Sequence, residues 1–118
     1  MEHDIIALLR LFDGRVPDAQ SHAWVLALAS DREKWHEAHG LFNKIRRCNL
    51  EAINTKDFAR EGQYCFEEVC LKSLYNETQP ADPFDSDSAY WIAKAAFALA
   101  RGVGVPVEAV VEIMAPKR

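Results

Sequence analysis

Glu77-Thr78-Gln79-Pro80-Ala81-Asp82-Pro83-Phe84-Asp85-Ser86-Asp87-Ser88 runs directly into Ala89-Tyr90-Trp91-Ile92-Ala93-Lys94-Ala95-Ala96-Phe97-Ala98-Leu99-Ala100. Eleven of the last twelve residues are hydrophobic, and Lys94 is the only charge among them. A helix that is apolar all round is expected to be enclosed by the rest of its domain, whereas an acidic segment broken by two prolines is expected to face water or a basic partner. Asp85 or Ser86 is placed to cap this helix, and Gly102-Val103-Gly104 to stop it, which puts a central helix at about residues 88–101.

The flanking sequence reads as more helix. Upstream, Pro80 and Pro83 cannot continue a preceding helix, because proline lacks the amide donor and disfavours helical geometry in the residue before it. That helix runs from Phe58 to about Tyr75, capped by Thr55 or Asp57, with Cys65 and Val69 beside Phe66, Cys70 and Leu74 as adjacent apolar stripes. Gly62 marks a bend or a close approach. Downstream, Pro106 opens a short helix to about Met114.

Further toward the N-terminus, Ser30-Asp31-Arg32-Glu33 has the S-x-x-E form of a capping box and predicts the start of a long helix to about Asn54. Trp35, Ala38, Phe42, Ile45, Cys48, Ala52 and Ile53 recur along it at helical spacing. Asp18 caps a helix to about Ala29, whose Ala23–Ala29 run has little polar face and is expected to be mostly buried. Asp4 caps a first helix whose Ile5, Leu8, Leu9 and Phe12 share a face, with Asp13-Gly14 as its stop. No segment sustains period-two alternation, so the expected fold is all-α: five to six helices packed around the 88–101 helix as a single domain over 1–118.

Composition narrows function by exclusion. The acidic start Met1-Glu2-His3-Asp4 lacks the basic region of a secretory signal and no apolar run reaches membrane-span length, so a cytoplasmic address is expected. Cys48, Cys65 and Cys70 are odd in number and fall within helical apolar patterns, which favours buried free thiols over disulfides or zinc. Residues 1–60 carry nine acids against nine Lys or Arg, and residues 61–118 carry nine against five, so the whole net charge of -4 belongs to the second half. That half would repel a nucleic acid and steer a basic protein.

No motif declares a chemistry. His36 and His39 are three residues apart, one short of the His-x-x-x-His of zincins. Glu33-x-x-His36 lacks the second such motif that a di-iron bundle needs. Asp82, Asp85 and Asp87 miss the glycine and glutamate of an EF-hand loop. No nucleophile elbow or phosphate-cradling glycine loop occurs, and Lys44, Arg46, Arg47 and Lys56 are interleaved with Glu37, Glu51 and Asp57. No metal, cofactor or catalytic residue is assigned. Trp24, Trp35 and Trp91 are expected as core or interface anchors.

Phe66-Glu67-Glu68-Val69-Cys70-Leu71-Lys72-Ser73-Leu74-Tyr75, followed by Pro83-Phe84-Asp85-Ser86-Asp87-Ser88-Ala89-Tyr90-Trp91-Ile92, resembles the C-terminal half of bacterial proteins of contact-dependent inhibition and polymorphic toxin loci. The overall profile is similar to that of small bacterial immunity proteins. The resemblance implies neutralisation of a basic toxin or nuclease domain through Glu67, Glu68, Glu77, Asp82, Asp85 and Asp87. Two alternatives remain at this point: a helical metal-binding protein or enzyme using Glu33, His36 and His39, and a structural or oligomerisation module.

Overall fold

A computed structural model describes residues 2–77 and 85–115. The described residues form six α-helices with one 3₁₀ turn and contain no strand: α1 Glu2–Phe12, α2 Ala19–Ser30, the 3₁₀ turn Arg32–Glu37, α3 Ala38–Asn54, α4 Phe58–Glu77, α5 Asp85–Val103 and α6 Val107–Met114. The fold is all-α.

Local chemistry sets the boundaries. Asp18 caps α2 by accepting from the Ser21 amide at 3.1 Å. Asp57 caps α4 by accepting from the Arg60 amide at 3.2 Å. After α1 the chain turns at Gly14 and after α5 at Gly104, with φ of +74° and +77°, a left-handed backbone that glycine adopts without a Cβ penalty. The second turn is closed by the Val105 amide donating to the Ala100 carbonyl at 2.9 Å.

Expected helix starts are corrected: α1 already begins at Glu2, ahead of Asp4, and the long helix begins later than its capping pattern suggests. Ser30 does not begin the long helix; it ends α2, its hydroxyl turned back to donate to the Leu26 carbonyl at 2.8 Å. Asp31 takes the capping role instead and accepts from the Glu33 amide at 3.1 Å. The chain then spends Arg32–Glu37 in 3₁₀ geometry before α3 begins, so the predicted single helix is a short turn followed by a shorter helix.

α5 does not have the all-round enclosure its apolar composition predicts, and α4 is the more buried helix. α4 packs against α2, α3 and α5, and its Gln63, Tyr64, Phe66, Glu67, Cys70, Leu71, Ser73 and Leu74 are all buried. α5 lies along α4 at close range: a Cβ on Gly62 would sit 3.6 Å from the Leu99 Cα, and one on Gly102 would sit 3.7 Å from the Ala59 Cα. These pairings make α4 and α5 antiparallel. Only one face of α5 is enclosed, through Ile92, Ala96, Leu99 and Ala100, while Tyr90, Lys94, Ala98 and Arg101 are exposed. In α2 the expected burial holds for Val25, Leu28 and Ala29, but Ala23, Trp24 and Ala27 are exposed.

α1 packs against α2, α5 and α6 and buries Ile5, Leu8, Leu9 and Phe12, the Phe12 ring reaching Phe66 of α4 edge-on at 5.2 Å. The three cysteines are free thiols, Cys70 fully buried and Cys48 and Cys65 half-buried.

Candidate functional site

The six acidic residues expected to form one docking face do not share an environment. Glu67 is fully buried and is removed from any surface. Its place in α4 explains this, because Gln63, Glu67, Cys70 and Leu74 recur at one helical spacing and all four point into the core.

A complete hydrogen-bond network makes the burial of Glu67 tolerable. Ser21 Oγ donates to Oε2 at 2.8 Å, Gln63 Nε2 donates to Oε1 at 2.9 Å, and His22 Nδ1 stands 3.3 Å from Oε1. The other ring nitrogen of His22 lies 2.6 Å from the Leu9 carbonyl, and since a carbonyl only accepts, Nε2 carries a hydrogen. Burial pushes the proton affinity of His22 down. The bonds to Glu67 and to the Leu9 carbonyl, with the charges of Glu67 and Asp13, outweigh it and hold the histidine above its ordinary value. His22 is therefore held toward its protonated form where it meets Glu67 inside the core.

The network continues to the start of α2. Gln63 accepts from the Asp18 amide at 2.9 Å and donates to the Asp18 carbonyl at 2.7 Å, and Tyr64 donates to Asp18 Oδ2 at 2.7 Å. Burial raises the Asp18 carboxyl, but the bonds from Tyr64 and the Ser21 amide, the Arg60 charge and the Gln20 amide bring it below the usual carboxylate value. Burial and the Asp18 bond push the Tyr64 phenol up. No buried side-chain polar atom among the described residues lacks a partner. Ser21, His22 and Glu67 are thus a clamp joining α1, α2 and α4: the serine proton goes to Glu67 rather than to His22, and both ring nitrogens of His22 are engaged.

Glu68, one position further along α4, is partly exposed and pairs with Arg46 of α3, its Oε1 3.4 Å from the arginine Nε. Glu77 is the last residue of α4, and Asp85 and Asp87 stand in the first turn of α5. Asp82 lies outside the described residues, as do the side chains of Glu77, Asp85 and Asp87.

Two exposed aromatic rings follow these positions in α5, of which only Trp91 was singled out by the sequence. Tyr90 is 62 % and Trp91 50 % exposed, with the rings edge-on at 5.4 Å and the Lys94 ammonium 5.1 Å from the Trp91 ring centre. Trp91 is thus not a core residue. Position 87 precedes 91 by one helical turn and shares its helical face, whereas position 85, two residues before 87, falls on a different one.

For the metal alternative, His36 falls in the 3₁₀ turn and His39 in the first turn of α3, with Glu33 exposed. The two histidine side chains lie outside the described ones, and no three His, Cys, Asp or Glu residues are grouped as a metal site among the described residues. No described helix is long and apolar enough to cross a membrane. No family model matches the chain, and no curated protein or solved structure matches it.

Proposed function

We propose that the protein is a binding module of the immunity or antitoxin type, which occupies a basic toxin or nuclease domain through the start of α5. The observation that carries this reading is the exposure of Tyr90 and Trp91 immediately after the acidic segment. Large exposed aromatic rings are disfavoured on a surface that meets only water, and tyrosine and tryptophan are the residues that dominate binding energy once an interface excludes solvent. Acidic positions around such anchors raise the association rate with a basic partner and set its orientation. In this reading Glu77, Asp82, Asp85 and Asp87 supply the acidic charge; the fully buried Glu67 is excluded, and Glu68 adds a partly exposed carboxylate already paired with Arg46.

The test is co-expression with the product of the adjoining reading frame. Protection of cells from that product by the wild-type chain, lost with the Tyr90→Ala, Trp91→Ala double variant, is the expected result. A neighbour that is not toxic, or toxicity that the wild-type chain leaves intact, overturns the reading.

A further inference from the structure

A second surface, built from other elements, has the opposite charge character. A groove of about 380 Å³ opens between α2 and the turn into α3, with Trp24, Leu28 and Leu41 as its apolar floor and Lys34, Glu37 and Lys44 around it. A smaller cavity of about 130 Å³ extends it, sharing Trp24, Leu41 and Lys44 and ending on Asp18 and Ser21. The larger groove alone has the size of a small-molecule site, which runs from roughly 300 to 1,000 Å³.

Three features select the occupant. Trp24, 41 % exposed, contributes apolar ring surface to the floor. The Lys44 ammonium rests 3.9 Å from the centre of that ring, and among the described residues no carboxylate is paired with it, so the cation is pre-positioned by the ring with its N–H donors left for a ligand. Lys34 adds a second positive charge on the same groove against the single negative charge of Glu37. At the far end the Asp18 carboxylate, already committed to Tyr64 and the Ser21 amide, repels an anion and fixes the ligand's direction.

We infer that this groove is a binding site for a small amphipathic carboxylate, an aliphatic or aromatic acid whose apolar body lies on Trp24, Leu28 and Leu41 and whose carboxylate meets Lys34 and Lys44. The site is independent of the α5 face, and either can stand without the other.

Decanoate below its micellar concentration is a suitable probe, with decyltrimethylammonium as the matched cation. In a Trp35→Phe, Trp91→Phe background the remaining emission comes from Trp24. The expected result is a saturable change of that emission with decanoate, at least tenfold weaker binding of the cation, and about three- to tenfold weaker decanoate binding in each of Lys34→Gln and Lys44→Gln. Arg101→Gln, an exposed charge change on α5, leaves it unaltered. Far-ultraviolet circular dichroism confirms that each variant is helical, and calorimetry on the chain with all three tryptophans reads the same binding without the background substitutions. Equal binding of the two probes, no saturable binding of decanoate, or affinity untouched by both lysine substitutions overturns the proposal.

Discussion

At the scale of single residues, the decisive one is Glu67, buried beside His22 with every polar atom served. A Glu67→Ala truncation would leave the His22 ring, the Ser21 hydroxyl and the Gln63 amide without their acceptor. Breaking a buried pair in this way costs about 3–5 kcal/mol, which a urea-unfolding midpoint measures directly. Glu68→Ala removes only a partly exposed pair with Arg46 and is expected to cost under about 1 kcal/mol. The contrast between neighbours was partly legible in the sequence: the spacing that aligns Cys70 and Leu74 also carries Glu67 inward, and only the assumption that a glutamate seeks water pointed the other way. What no spacing could supply is the long-range partner set, since Ser21 and His22 arrive from forty-five or more positions upstream.

His22 and Asp18 set the pH dependence. The His22 pKa is raised above 6.5 by folding, so its contribution is complete below that value and is lost as pH rises through the folded pKa. The Asp18 pKa is lowered below 3.8, so its contribution is complete above that value and is lost as pH falls through the folded pKa. Stability is therefore expected to be greatest between these limits. Urea midpoints from pH 3 to pH 9 check this, and a flat profile on the alkaline side would remove the imidazolium from the account.

At the scale of elements, two glycines separate conformational need from helix propensity. Gly40 lies within α3 with open space where a Cβ would point, so Gly40→Ala should stabilise by about 0.5–1 kcal/mol. Gly104 turns the chain after α5 with φ of +77°, and Gly104→Ala should destabilise by about 1 kcal/mol or more. Thermal melts of the two variants are expected to move in opposite directions. Capping gives a second contrast: Asp31→Ala should cost about 0.5–2 kcal/mol, while Ser30→Ala should stay within about 0.5 kcal/mol. The S-x-x-E pattern misplaced the cap by one residue because Asp31 offers an equally good acceptor and α2 holds Ser30 in its last turn.

Element order was otherwise readable from caps, glycines and prolines, and the burial of α5 was not. Its side chains are nearly all apolar, so hydrophobicity alone could not say which face is outward. The charges could have: Lys94 and Arg101 lie at the same helical register as Tyr90 and Ala98, and all four are exposed.

At the scale of the whole molecule, the helices divide their surface between an aromatic face at the start of α5, flanked by acidic positions, and a lysine-bearing groove between α2 and α3. The division explains why a net charge of -4 is a poor guide to partners taken alone. An acidic steering face acts through the association rate and weakens with added salt, whereas apolar anchors act through the dissociation rate and are nearly indifferent to it.

Stopped-flow association of this chain with the product of the adjoining reading frame, followed across salt concentration, brings both contributions into one experiment. The association rate is expected to fall as salt rises, with slower association and a weaker salt slope in Asp85→Lys, Asp87→Lys, and faster dissociation at an unchanged association rate in Trp91→Ala. Association that is absent in the wild-type chain, or that is indifferent both to salt and to these substitutions, would contradict it.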